Sequence, residues 1–498
     1  MPKKVIVIGT GPGGLTSAML LAHHGYQVEV FEKQPYIGGR NGSLTFDGFT
    51  FDIGPTFLMM KYILDEMFEL SGRRTEQYLT IKEIEPLYRL VFSGNRVFMP
   101  SARDREGTLA QMEELFPGST AGYWKFMTHE KKKFDRLVPC LQVPYTKWSD
   151  YLKPRMLRAL PYLDAHRSVF GHLGRFFAYN DLKTAFTFQA KYLGMSPWEC
   201  PATFSMLSYI EHGLGIWHPI GGLNQITKAM AKVVEEDGGK IHLGVGVAEV
   251  VVNDGKATGV KLDNGETVHG DYVLLNADFA HAMHNLIPRQ HLKKWTPETL
   301  AQKRYSCSTF MLYLGLDNQY DIPHHNIIFT KDYEQNVRDI AETKRLSKEF
   351  SIYIQNTWRT DPTLAPPGQS AVYILVPAPN TTGPMDWDKE AAAFRDRTIE
   401  IAETDGGMTG LRQHIIAERV ITPFDWQRSY FVHNGATFNL AHNVRQMLIW
   451  RPHNASEDIG NMYLVGGGTH PGSGLPTIFE SGRISSALIM ARDGKKLE

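Results

Sequence analysis

Gly9-Thr10-Gly11-Pro12-Gly13-Gly14 forms a G-x-G-x-x-G pattern directly behind the β-branched run Val5-Ile6-Val7-Ile8. Such a turn can hold a pyrophosphate without a charged side chain. Gly9 permits the tight turn, Gly11 lets the backbone approach the phosphates, and Gly14 lets the following helix pack close to the strand. Leu15, Ala18, Met19 and Ala22 recur at helical spacing, so a helix N-terminus offers its free N–H groups at the turn. Pro12 suits a first helical turn, where its missing N–H costs little, and Gly13 follows it. Gly25 stops the helix. Val28-Glu29-Val30-Phe31 reads as a second strand. Glu32 stands at its end, 23 residues after Gly9, where an acid can accept hydrogen bonds from a ribose; Lys33 beside it is counted with the same site. These features together imply a bound dinucleotide.

Gly38-Gly39-Arg40 follows Glu32 after five residues. This E-x5-G-G-R arrangement is similar to the extended pattern of FAD oxidoreductases related to amine oxidases. It makes FAD the expected cofactor rather than NAD. Gly39 brings a second backbone segment towards the phosphates, and Arg40 adds charge-assisted hydrogen bonds. A second glycine turn lies near the other end of the chain. The strand-like residues 461–465 run into Gly466-Gly467-Gly468-Thr469-His470-Pro471-Gly472-Ser473-Gly474, and Leu475-Pro476-Thr477 opens a helix. A helix N-terminus there would stabilise negative charge on a reduced flavin. His470 is weighed as catalytic, but a turn so rich in glycine mainly shapes backbone.

The elements that must position these turns are legible too. Residues 239–278 return to the cofactor-binding unit: 250–252, 259–262 and 272–275 are strand-like, and Asn253-Asp254-Gly255 and Asp263-Asn264-Gly265 are hairpin turns. The expectation is an α/β protein with a Rossmann-like FAD-binding domain assembled from residues 1–60, 235–290 and 455–498. A mixed-sheet substrate domain takes 61–135 and 291–454, with strands at 308–316, 351–355 and 371–376. A helical insertion, 136–234, completes the chain. Within it, residues 145–177 carry Lys147, Lys153, Arg155, Arg158, Arg167 and Arg175 against only Asp150 and Asp164. Trp148, Tyr151, Leu152, Met156, Leu157, Leu160 and Tyr162 are interleaved, and Pro154 and Pro161 divide the stretch into short helices. Basic and aromatic residues on amphipathic helices suit a peripheral membrane contact.

The 498 residues, 42% hydrophobic and 21% charged, are ordinary for a folded chain of two or three domains. Zero formal net charge and a pI near 7.3 give no footing for nucleic acid as a partner. Cys140, Cys200 and Cys307 are spaced for neither a zinc ribbon nor a disulfide framework, so they read as core residues in a reducing compartment. Lys3 and Lys4 precede an apolar stretch, but the glycines interrupt it, so a buried strand is expected rather than a signal peptide. No apolar run reaches 18 residues. His23-His24 and His324-His325 are poorly spaced for ligation and read as surface residues; no metal site is expected.

Further motifs carry a family resemblance along most of the chain. They are Gly48-Phe49-Thr50-Phe51-Asp52-Ile53-Gly54-Pro55-Thr56, Gly215-Ile216-Trp217-His218-Pro219-Ile220-Gly221-Gly222, Thr422-Pro423-Phe424-Asp425, Trp450-Arg451-Pro452-His453-Asn454 and the closing glycine turn. With them the chain resembles the phytoene-desaturase type of carotenoid desaturase. The resemblance implies removal of a hydride and a proton from adjacent carbons of a long C30 or C40 polyene. It places Gly54, Pro55 and Thr56 near the flavin ring, Val247 near the adenine, and Ala277 beside the cofactor. Gly467, Gly468, Gly474, Leu475, Pro476 and Thr477 are expected at the flavin end. It also implies a lipophilic substrate, a cytoplasmic, peripherally membrane-associated enzyme, and quinone or oxygen as electron acceptor. The chain departs from relatives at Phe438-Asn439-Leu440-Ala441-His442-Asn443, where an acid followed by proline is familiar, and at His218, where an aromatic is.

Arg167, which matches an arginine of relatives, Asp52 and Glu211 are the acid–base or orienting candidates. The apolar residues of 186–217 are candidates for a substrate tunnel. Oxidation or oxygenation of a carotenoid end group, or polyene isomerisation, is the alternative chemistry. A non-catalytic escort of prenylated proteins is the alternative class, opposed by the two intact glycine turns.

Overall fold

In the computed structural model, residues 2–497 are described. Lys4–Ile8 is the middle strand of a five-stranded sheet, ordered Met462–Leu464, Tyr272–Leu275, Lys4–Ile8, Gln27–Glu32, Lys240–Leu243, with every pairing parallel. A parallel sheet is covered on both faces, so its strands read as unbroken apolar runs. Val5 and Val7 enter one core with helices Pro12–His23, Asn224–Glu236 and Leu475–Arg492. Ile6 and Ile8 point the other way, towards Val250 and Val260 of an antiparallel sheet of Val247–Asn253, Lys256–Leu262 and Thr267–His269. The first and last long helices touch through glycine. A Cβ on Gly482 would lie 2.8 Å from the Gly13 carbonyl, and Ser17 Oγ donates to the Gly482 carbonyl at 3.0 Å.

A seven-stranded mixed sheet has the order Ile415–Ile421, Ser308–Leu316, Ser370–Ala378, Ile352–Asn356, His325–Ile328, Arg89–Phe92, Arg96–Phe98. Its two faces follow the two-residue period of a strand. Phe310, Leu312 and Leu314 pack with Trp387, Phe394 and Ile399 of helix Trp387–Thr404. Met311 and Tyr313 face the opposite way, onto Phe49, Phe51 and Ile53. One reading is corrected here: His324 and His325 are buried, not surface residues. His325 opens the strand His325–Ile328, which runs between Ile352–Asn356 and Arg89–Phe92 and is buried throughout, and His324 directly precedes it. His23, by contrast, is exposed.

Between the sheets lies a helical region. Thr120–Leu141 is its longest helix, followed by short ones that include Pro154–Ala159, which begins on Pro154. Among the described residues no helix is long and apolar enough to cross a membrane. Inside this region Lys133 is fully buried. Its Nζ lies 3.1 Å from both Glu130 and Asp164 and donates to the Ala202 carbonyl and Ser205 Oγ, each at 2.9 Å. His129, Glu130 and His172 hold three potential metal-ligand atoms within 4.8 Å of one another. Lys133 already supplies positive charge at that cluster. Truncating Lys133 to methionine strands the buried carboxylates and is expected to cost about 3–5 kcal/mol, read as a lower midpoint in urea unfolding.

Candidate active site

A cavity of about 460 Å3 starts at the first glycine turn and ends beneath the seven-stranded sheet. Gly9, Gly11, Pro12, Glu32, Lys33, Gly39 and Arg40 line its first part, with Val247 and Ala277 beside them. Gly9 has φ +93°, and a Cβ there would sit 2.6 Å from the Asn276 carbonyl, so only glycine fits. Gly14 faces away from the cavity: its Cβ would lie 2.5 Å from the Gly9 carbonyl, which sets how tightly the helix meets the turn. Gly13 packs against Gly466 and Ile478 in the same way. By contrast, a Cβ on Gly39 would meet nothing nearer than Gly11 Cα at 3.9 Å. The two backbone segments therefore approach each other closely at the cavity wall.

Glu32 does more than face the cavity. The N–H and Oγ of Thr10 both donate to its Oε2 at 2.8 Å, and the Gln34 N–H donates to Oε1 at 2.8 Å. The carboxylate thus fixes the turn to the second strand and keeps lone pairs for a ribose. Arg40 is steered by one hydrogen bond, Nη1 to the Thr437 carbonyl at 2.8 Å. Lys33 Nζ sits over the Phe431 ring, 4.4 Å from its centre. Asn276, which carried no sequence signal, donates from Nδ2 to the Gly9 carbonyl at 3.1 Å and buttresses the turn.

The far end is built by the second turn and by tyrosines. Gly466, Gly467, Gly474, Leu475 and Pro476 line the cavity where helix Leu475–Arg492 begins. Gly468 does not: a Cβ there would meet Phe279 at 2.6 Å. Thr477 Oγ donates back to carbonyls of the turn, Ser473 and Gly474 both at 2.9 Å, and Thr477 lines a neighbouring cavity instead. Under the turn lies Arg451, fully buried, donating to the carbonyls of Thr469 at 3.0 Å and Gly467 at 2.6 Å. Burial pushes its pKa down to about 9, and among the described residues no carboxylate pairs with it. Gly54, Pro55 and Thr56 form the opposite wall. Their loop hangs from the seven-stranded sheet: Tyr313 Oη donates to the Ile53 carbonyl at 2.6 Å, Tyr373 Oη to the Gly54 carbonyl at 2.8 Å, and Tyr353 Oη is 2.9 Å from Thr56 Oγ.

Residues 12–490 match the family of flavin-containing amine oxidoreductases. A 4,4'-diapophytoene desaturase (4,4'-diapolycopene-forming) from a Methylomonas species is 50% identical over 487 residues, covering 98% of this chain and 95% of that one. The chain belongs to the carotenoid-desaturase branch of this flavoprotein family. A zeta-carotene-forming phytoene desaturase from Myxococcus xanthus is 37% identical over 495 residues, 98% and 94% of the two chains. An oxidoreductase from Methanosarcina mazei shares the fold, with TM-score 0.63 at 18% identity over 96% of this chain and 99% of that one. FAD is the cofactor of this flavoprotein, and the residues present fit it. Gly11 and Gly39 would present two adjacent backbone segments to the pyrophosphate, Glu32 would take a ribose, and the second turn the flavin end. When bound, FAD accepts the hydride.

The three acid–base candidates of the flavoprotein lie off the cavity walls. Asp52 is buried, accepts the Leu223 N–H at 2.7 Å, and ties the strand Phe49–Asp52 to the Gly221-Gly222 segment; burial pushes its pKa up to about 6. Glu211 is buried in helix Met206–Leu214, bound by Gln189 Nε2 at 2.7 Å and Tyr88 Oη at 3.2 Å. Burial pushes its pKa up to about 7. It sits behind Tyr192, whose ring does line the cavity. Arg167 is exposed and contacts His166. His470 is buried, with Nε2 2.9 Å from the Val143 carbonyl, so it anchors the turn to the helical region. Lys191, not singled out in the sequence, lines the cavity with its Nζ 4.6 Å from the Tyr333 ring centre; burial pushes its pKa down to about 8.

A second cavity, about 400 Å3, shares Ser473 and Pro476 with the first. Its wall is apolar, with Leu137, Leu141, Met156, Phe204, Leu207 and Ile210 among its residues. The tunnel expected from residues 186–217 is therefore split: Phe188 and Tyr192 face the flavin cavity, and Phe204 to Ile210 face the second. Trp148, Val444 and Trp450 belong to the second cavity and are also solvent-exposed, Trp148 by 65%. The two tryptophans meet edge to face at 5.4 Å.

Proposed function

We propose that this flavoprotein desaturates a long polyene hydrocarbon, C30 or C40, which it takes from a membrane through the second cavity. The observation that carries the reading is the pair of abutting cavities, one a flavin cradle and the other apolar with a tryptophan rim. A polyene has almost no polar group to recognise, so an enzyme holds it by shape and by burying apolar area. The names of the relatives support the same chemistry. The residues that hold FAD are those of the two glycine turns with Glu32, Lys33, Arg40, Val247, Ala277 and the Gly54–Thr56 loop. FAD would supply the hydride acceptor, the cavity excludes water, and quinone or oxygen would be the final acceptor.

Beside the tryptophan rim, Leu152, Leu157 and Leu160 are also exposed, and Lys153 and Arg158 stand among them. Outward leucines and tryptophans edged by basic residues match the chemistry of an anionic bilayer surface. This supports residues 136–234 as a peripheral membrane insertion and a cytoplasmic, membrane-bound location. The division of the chain into cofactor, substrate and insertion segments is part of the same proposal.

The test is incubation of the FAD-loaded protein with C30 and C40 polyenes in anionic liposomes, followed by chromatography. Products with additional double bonds are expected. Recovery of oxygenated or isomerised products alone would replace the desaturase reading. Replacing Leu152 and Leu157 with glutamate is expected to weaken liposome co-sedimentation by about tenfold or more, since each buried leucine contributes about 1.5–3 kcal/mol. Unchanged sedimentation would exclude this surface.

A further inference from the structure

Desaturation removes a proton as well as a hydride, and Asp52, Glu211 and Arg167 do not reach the cavity wall. Among the hydroxyls that line it, Thr56 and Tyr353 stand 2.9 Å apart, and of these Tyr353 is backed by a buried imidazole. Behind them, Tyr353 Oη is 2.7 Å from His325 Nδ1. His325 is fully buried, and Phe57 stacks flat against its ring at 4.0 Å. The row continues inward. The His324 ring centre is 4.4 Å from that of His325, and the His218 ring is 4.8 Å from that of His324. His218 Nε2 ends the row 3.0 Å from Asp361 Oδ2, and all these groups are buried. Gln355 Nε2 donates to His324 Nε2 at 3.1 Å. His325 Nε2, His324 Nδ1 and His218 Nδ1 are buried with no hydrogen-bond partner among the described residues. Three buried histidines ending on a carboxylate are costly to keep for structure alone.

We propose that Tyr353 and His325 form the proton exit of the desaturation, with Tyr353 as the catalytic residue at the cavity wall and His325 as the acceptor behind it. The inference rests on the desaturase reading. One carbon of the polyene loses its hydrogen with the bonding pair, as hydride, to FAD. The adjacent carbon loses its hydrogen as a proton to Tyr353 Oη, and the pair left behind becomes the new C=C bond. Tyr353 Oη passes its own proton to His325 Nδ1, so the phenol is neutral before and after the step. Burial holds the imidazole of His325 well below its usual pKa and the phenol of Tyr353 well above its own. The resting pair is therefore a neutral imidazole facing a protonated hydroxyl. A weak base suffices, because loss of hydride makes the neighbouring C–H strongly acidic.

The test is anaerobic mixing of FAD-loaded protein with polyene liposomes, followed by bleaching of the flavin. Flavin content and polyene affinity, from quenching of flavin fluorescence, are measured beside it. Tyr353→Phe keeps the ring and removes the hydroxyl. His325→Gln keeps a hydrogen-bonding group near Tyr353 but cannot take a proton. Both variants are expected to retain FAD, because Tyr313 and Tyr373 still hold the Gly54–Thr56 loop, while bleaching slows about a hundredfold or more. Bleaching in Tyr353→Phe within about threefold of the parent overturns the relay and leaves the desaturase reading standing, since the loss expected of a general base is far larger. A loss confined to flavin content or polyene affinity assigns the pair a structural role and also overturns it. A parent protein that binds polyene and does not bleach overturns the desaturase reading and the relay with it.

Discussion

Gly11→Leu is expected to give a folded, colourless protein. The backbone at Gly11 has φ −63°, which any residue adopts, so the substitution acts through space alone. A Cβ there would first meet Asn276 Nδ2 at 2.8 Å, the end of a side chain that can shift. The leucine therefore displaces Asn276, whose Nδ2 holds the Gly9 carbonyl, and adds bulk at a position that lines the cavity. A pyrophosphate pushed back from the helix N-terminus loses at least two hydrogen bonds to charged oxygens, about 1.5–3 kcal/mol each, which lowers FAD affinity at least about a hundredfold. The measurements are flavin absorbance after desalting, with circular dichroism to confirm the fold. Stoichiometric FAD in Gly11→Leu would refute the assignment of the turn.

Arg451→Met is expected to make the flavin harder to reduce. The guanidinium lies under the Gly466–Gly474 segment and donates to carbonyls of Gly467 and Thr469. Its charge is uncompensated within the described residues, so it favours an anion in the cavity above. Removing this charge from behind the turn is expected to lower the two-electron potential, by about 30 mV for each 1.4 kcal/mol of anion stabilisation lost. A dye-equilibrated reductive titration measures this. Arg451→Lys keeps the charge and is expected to recover part of the shift. An unchanged potential in Arg451→Met would mean that the residue only shapes the turn.

The glycine turns were legible because their chemistry is local. Strand, turn and helix N-terminus lie within about twenty residues, and each glycine has one backbone reason. The strands at 308–316 and 371–376 were equally plain, being long apolar runs that become Ser308–Leu316 and Ser370–Ala378. Arg89–Phe92 and Arg96–Phe98 went unread because each is short, although the Ser93-Gly94-Asn95 turn between them was a usable hairpin signal. The cavity wall was harder. Tyr313, Tyr353 and Tyr373 are 260, 297 and 319 residues from the loop carbonyls and hydroxyl they hold. No spacing rule reaches across that distance. His324 and His325 were misread for the same reason: neighbours in sequence say little about burial in a strand whose partners, at residues 89–91 and 352–355, are remote.

The parallel sheet also constrains how the protein is made. Its middle strand is synthesised well before the edge strand Met462–Leu464 and the helix Leu475–Arg492. Until they arrive, the face of helix Pro12–His23 that meets Gly482 has no cover, because Ser17 waits for a partner 465 residues away. Contacts this distant close slowly and leave apolar surface exposed in the interim. The first glycine turn is therefore made long before its second half. Flavin capture then reports that this late segment has docked, and a nascent chain stalled before residue 475 would emerge without colour.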